Sequence, residues 1–136
     1  MNKTKQEIAR IQLERAIDLF FEGQDYISTI TLAGASEEIT RQILERQGKP
    51  TSSEKLKEWV VENHPDSPAL NNFYVHANKT RNSLKHFTDP EELEVFVDQA
   101  EAQYWVTRAL LNYEWSNLIL TEPMVKLMFW LKSQSA

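Results

Sequence analysis

Apolar residues recur at three- and four-residue intervals along the chain, and no strictly alternating stretch of useful length appears. Ala9, Leu13, Ala16, Ile17 and Phe20 trace one face of a first helix, which breaks at Gly23 before Asp25. Leu32, Ala35, Ile39 and Ile43 trace a second, ending at Gly48-Lys49-Pro50. Within it, Ala33-Gly34-Ala35-Ser36 is a run of small residues against which a neighbour can pack closely. Thr51 and Glu54 have capping-box spacing, so a short helix through Trp59, Val60 and Val61 is expected, ending at His64-Pro65-Asp66. Ser67-Pro68 reads as cap and first helical position of a helix from about 68 to about 87, with Leu70, Phe73, Ala77 and Leu84 on its core face.

Thr88-Asp89-Pro90-Glu91-Glu92 reads as a stop followed by a new start, with the acids favouring a helix N-terminus. Leu93, Val97, Ala100, Tyr104, Thr107 and Leu111 then follow a four-three spacing, the seam of a long bundle helix. Thr121-Glu122-Pro123 opens a last helix with Met124, Leu127, Met128 and Leu131. The pattern predicts an all-α fold, an antiparallel bundle of five to six helices, as a single domain over 1–136.

Composition narrows the functional classes. Hydrophobic residues make up 41% of the chain, enough for one core, and 3 glycines and 5 prolines suit helices joined by short turns. With no cysteine, disulfide scaffolds and cysteine-ligated metal centres are excluded. The polar start MNKTKQEIAR has no apolar signal core, and no apolar run approaches a membrane span, so a soluble cytoplasmic protein is expected. The net charge of −5 argues against a general nucleic-acid binder. Locally the balance reverses: no acid lies between Asp66 and Asp89, a window that carries Lys79, Arg81 and Lys85 with His76 and His86.

Within that window, Arg81-Asn82-Ser83-Leu84-Lys85-His86 is the stretch that suits chemistry. A histidine can take the proton of an RNA 2′-hydroxyl as it attacks the adjacent phosphate, or protonate the leaving oxygen. An arginine can hold phosphate oxygens through two N–H groups and stabilise the charge of the transition state. Asn82 would hydrogen-bond a phosphate or position the histidine, and Lys85, Asn78 and Lys79 would extend a phosphate-binding surface. This chemistry needs neither metal nor cofactor. Five residues of ideal helix advance about 500°, leaving Arg81 and His86 about 140° apart. Serving one phosphate therefore requires either a distorted helix end or two copies converging.

The arginine, the polar residue after it and the histidine five positions on, in an all-helical chain near a helix end, resemble the HEPN superfamily and its Arg-x4–6-His motif. The resemblance covers the motif closely and the rest of the chain only as an all-helical context. It implies a HEPN-like bundle, a homodimer with its two motifs in one cleft and, in active members, a metal-independent endoribonuclease acting on single-stranded RNA. Arg81 and His86 would be catalytic and Asn82 would assist. Many members are toxins, held by an antitoxin protein, or defence nucleases. Others have lost catalysis and bind a nucleotide, an RNA or a protein partner.

Other residues have plainer readings. Glu37 and Glu38, mid-helix beside the small-residue run, suit salt bridges better than a bundle metal site, since the chain has no Glu-x-x-His. His76 falls on a helix flank and His64 in a loop. Tyr104, Trp105, Tyr113, Trp115, Phe129 and Trp130 suit core or dimer packing before base stacking. Were the chain unrelated to HEPN, the seam from Leu93 to Leu111 would be its working surface.

Overall fold

Thr4 starts the first helix with a reciprocal cap: its hydroxyl accepts the Glu7 N–H at 3.1 Å while the Glu7 carboxylate accepts the Thr4 N–H. In the computed structural model, which describes residues 1–134, this helix, α1 (Lys5–Glu22), ends at Gly23. Gly23 has φ of +72°, a left-handed cap that suits glycine. Asp25 caps α2 (Tyr26–Arg46), and the hydrogen bonds it accepts from Ser28 hold its carboxyl below the ordinary value. Thr51 caps α3 (Ser52–Asn63) at the spacing read from sequence, accepting the Glu54 N–H at 3.2 Å. A 3₁₀ turn (Pro68–Leu70), α4 (Phe73–Ala77), α5 (Lys79–Lys85), α6 (Gln99–Trp115) and α7 (Glu122–Gln134) complete the order.

The core lies where α1, α2, α6 and α7 meet, around a fully buried Trp105 with Leu13, Ile17, Ile30, Leu110 and Leu127. The α1–α2 pair is antiparallel across the short turn at Gly23, and it is tight: Ser36 Oγ donates to the Ala9 carbonyl at 2.8 Å. The α2–α6 pair runs the other way. Glu37 meets Arg108, and one end further along Gln47 reaches the Ser116 carbonyl, so these two helices are parallel. The long crossover from 47 to 98 returns the chain to the same end before α6 begins. The expected all-antiparallel order is thus corrected at the pair that carries the most polar part of the core.

Three further expectations change, each for a local reason. The predicted helix over 68–87 is three short segments, because Asn72 adopts a left-handed φ of +56°, which asparagine tolerates, and Asn78 separates α4 from α5. The described residues therefore hold seven α-helices rather than five or six. Residues 89–98 are not helical: the Asp89 carboxylate turns back on the Glu91 N–H, and the true cap is Asp98, accepting the Glu101 N–H at 2.9 Å. The seam shifts with it. Ala102, Trp105, Val106, Ala109 and Tyr113 face the core, while Leu93 and Ala100 are exposed.

The buried face of α2 also differs from the Leu32–Ile43 stripe. Ile30 and Leu44 are buried at its two ends, and between them lie Ala33, Gly34, Ser36, Glu37 and Thr40, small and polar residues that let neighbours approach and find partners inside. Among the described residues no helix is long and apolar enough to cross a membrane.

Candidate functional site

Glu37 is the polar centre of the molecule. Its side chain is wholly buried, a placement a carboxylate tolerates only with charged or hydrogen-bonding partners. It has three. Arg108 Nη2 donates to Oε1 at 3.0 Å, Arg81 Nη1 donates to Oε2 at 3.2 Å, and Asn112 Nδ2 donates to Oε1 at 3.4 Å. Two arginines on one carboxylate leave the cluster with a net positive charge.

Arg108 is the more deeply set of the two. Its Nη1 donates to the Ala77 carbonyl, to Asn78 Oδ1 and to the Tyr104 hydroxyl, and its guanidinium lies 4.3 Å from the centre of the Trp105 ring. These bonds tie α6 to the α4–α5 junction and so fix where α5 begins. Asn112 locks the other side, accepting the Ser52 N–H at 2.8 Å while the Ser52 hydroxyl donates to the Arg108 carbonyl. The start of α3 is therefore pinned to the same cluster.

Arg81 enters from α5. Its aliphatic stem lies on Gly34, where a Cβ would fall 2.6 Å from Arg81 Cδ, and its guanidinium sits 5.1 Å from the centre of the Trp105 ring. Its side chain is 11% exposed. Burial pushes its pKa down, while the charges of Glu37 and Glu38 work against that shift. Nε donates to Asn82 Oδ1 at 3.4 Å. Among the described residues no hydrogen bond engages Nη2, and that nitrogen is not among the sealed, unpartnered polar atoms.

The small-residue run thus accepts an arginine stem at Gly34 as well as a helix at Ser36. Gly34→Ala should displace that stem at a cost of about 1–3 kcal/mol for the added methyl, offset by about 1 kcal/mol gained in helix propensity, so the net loss should reach at most about 2 kcal/mol. Chemical denaturation checks this, and a net gain of about 1 kcal/mol, the propensity gain alone, would contradict the close approach.

The helix ends at Lys85, and His86 stands on extended backbone with φ of −132° and ψ of 146°, its N–H capping the Asn82 carbonyl. The ideal-helix separation of about 140° between Arg81 and His86 therefore does not apply, since the chain leaves the helical path at the histidine. His86 is exposed, and it makes no hydrogen bond or ion pair with Arg81. Lys79, Asn82 and Lys85 are exposed on α5, whereas Asn78 is half-buried and engaged with Arg108. His76 is exposed on α4, and His64, exposed after α3, meets the Trp59 ring edge-on.

Sequence reading missed Arg108 and Asn112. A charged residue inside Trp105-Val106-Thr107-Arg108-Ala109-Leu110, with Tyr104 and Asn112 one turn to either side, was the available signal. The salt bridges expected of Glu37 are present, but they are internal rather than superficial. Glu38 instead faces Arg41 at 3.8 Å.

Fold and cluster together define a small all-α chain in which a core-anchored arginine precedes an exposed histidine at a helix end. No protein-family model, no curated protein and no solved structure matches this chain.

Proposed function

We propose that the chain is a metal-independent endoribonuclease of HEPN type, cleaving single-stranded RNA as a cytoplasmic homodimer in a toxin or defence role. The observation that most supports this reading is the pairing of an arginine held by a buried carboxylate with a solvent-exposed histidine where α5 ends, inside the acid-free window. A phosphate-binding group works best when its orientation is set before substrate arrives. A proton-transfer group must instead be reachable by substrate.

In the reaction, the 2′-oxygen forms a bond to phosphorus as the bond from phosphorus to the 5′-oxygen breaks. The 2′-hydroxyl proton goes to a base, and the leaving 5′-oxygen takes a proton from an acid. His86 serves as one of these groups, and His86 of a second copy serves as the other. Arg81 holds the phosphate oxygens, and Asn82 steadies Arg81 through Nε. Lys79 and Lys85 draw the RNA backbone to the face, an attraction that weakens with salt.

A second reading has its own support. Arg81 is mostly buried and already ion-paired, as suits an arginine that only ties α5 to α2. The chain would then be a non-catalytic HEPN-like dimer that binds a nucleotide, an RNA or a protein partner. Incubation with single-stranded RNA in excess chelator separates the two. Cleavage by the wild-type chain, lost in Arg81→Ala protein that remains folded, is the result the nuclease reading expects. An intact substrate with several RNAs would favour the binding module.

A further inference from the structure

We propose that Glu37, on α2 and outside the motif, is a positioning residue that sets the orientation of Arg81 for phosphate binding; this rests on the nuclease reading above. The carboxylate is divided between two arginines, one oxygen to each. Arg108 is held by Glu37, Asn78, Tyr104 and the Ala77 carbonyl, so it cannot move without breaking the α4–α5 junction. It fixes Glu37, and Glu37 then fixes Arg81. Asn112 adds a third donor to the same carboxylate from α6.

The route of the Arg81 side chain leaves it little freedom. Gly34 lies under its stem, Trp105 lies beside its guanidinium, and Glu37 ends its path on one side. The bonds to Glu37 and Asn82 take Nη1 and Nε, so Nη2 is the nitrogen presented to a phosphate oxygen. A guanidinium held this way gives up little rotamer entropy on binding, and its charge is not cancelled because Arg108 shares the counter-ion. Without Glu37 the same arginine would be free to turn toward solvent or toward Asn82 alone. Misplacing a catalytic contact by about 1 Å lowers turnover by about 10²-fold.

The groups facing Arg81 from the elements around it are consistent with that role. The charges of Glu37 and Glu38 on α2 favour its own, while those of Arg108 on α6 and Arg41 on α2 oppose it. Of these, only Glu37 makes a direct ion pair with Arg81.

The test measures steady-state cleavage of a single-stranded RNA by wild-type, Glu37→Gln, Arg81→Ala and the double variant, each shown to be folded by circular dichroism. The expected result is a fall in kcat of about 10²-fold for Glu37→Gln with KM little changed, and no further loss when Glu37→Gln is added to Arg81→Ala. In parallel, the Arg81 ¹⁵Nε–H signal, assigned through Arg81→Lys, should be rigid in the wild-type chain and mobile in Glu37→Gln. A merely structural Glu37 would change stability without loosening Arg81 or splitting kcat from KM. If Glu37→Gln does not fold, Glu37→Asp keeps the charge and withdraws the carboxylate by one methylene, and the same fall in kcat is expected.

Unchanged kcat in whichever variant folds, an Arg81 signal that stays rigid, or losses that multiply in the double variant would each overturn the positioning role while leaving the nuclease reading intact. Absence of cleavage by the wild-type chain would overturn both.

Discussion

His86→Ala should abolish most RNA cleavage and leave the fold untouched. A positioned general acid or base contributes about 10²–10⁴-fold to such a reaction, so the rate should fall by that factor. Stability should not follow. The imidazole is exposed, it makes no hydrogen bond among the described residues, and the helix cap at this position is made by the backbone N–H, which alanine keeps. Surface substitutions of this kind stay within about 0.5 kcal/mol. Thermal melts beside cleavage rates would separate the two effects. A folded His86→Ala protein with full activity would remove His86 from the reaction. A large loss of stability would mean that its side chain makes contacts beyond the cap.

The largest expected change in stability belongs to Glu37→Leu. Removing one partner from a buried ion pair leaves the other charge uncompensated, at a cost of about 3–5 kcal/mol. Here the stranded group is Arg108, almost fully buried and unable to swing to solvent without breaking its bonds to Ala77, Asn78 and Tyr104. For a domain of this size such a loss is a large part of the whole stability. Replacing the whole triad, Glu37→Leu with Arg81→Met and Arg108→Met, should recover much of it, because buried ion-pair groups exchange for apolar residues of similar volume at little net cost. Denaturant midpoints of the three proteins check this. A Glu37→Leu protein weakened by less than about 1 kcal/mol would show that the cluster is wetter, or more easily rearranged, than its geometry indicates.

These two predictions divide the motif's surroundings into a reactive end and an anchored end, and the two ends were not equally legible in the sequence. The apolar face of α1 followed directly from its spacing, since Ala9, Leu13, Ala16, Ile17 and Phe20 are all buried. So did the caps at Thr51 and Ser67, because their hydroxyls meet donors at fixed local offsets. The buried face of α2 did not. Hydrophobic spacing points to Leu32, Ala35, Ile39 and Ile43, which are only half-buried, whereas the core takes Gly34, Ser36, Glu37 and Thr40. Those residues are buried because of partners on α1, α5 and α6, and no pattern within α2 reveals those partners.

The segment from 89 to 98 failed for a related reason. Asp89-Pro90-Glu91 carries every local sign of a helix start, but the Asp89 carboxylate closes a short turn, and Asp98 supplies the cap that α6 uses. The Arg81-to-His86 stretch is visible in the sequence as a residue pattern, and a helix end close to Lys85 is legible from the Thr88-Asp89-Pro90 stop. Its anchoring was not, because Arg108 lies 27 residues beyond Arg81 and Glu37 lies 44 residues before it.

Transesterification by Arg81 and His86, as proposed above, leaves a signature in the chemistry of the product ends. Single-stranded RNA incubated with the wild-type chain in excess chelator should yield a 2′,3′-cyclic phosphate on one fragment and a 5′-hydroxyl on the other. With Arg81→Ala or His86→Ala the same ends should form at least about 10²-fold more slowly. Fragments carrying 5′-phosphate and 3′-hydroxyl ends, or the same ends formed by both variants at the wild-type rate, would exclude transesterification by Arg81 and His86.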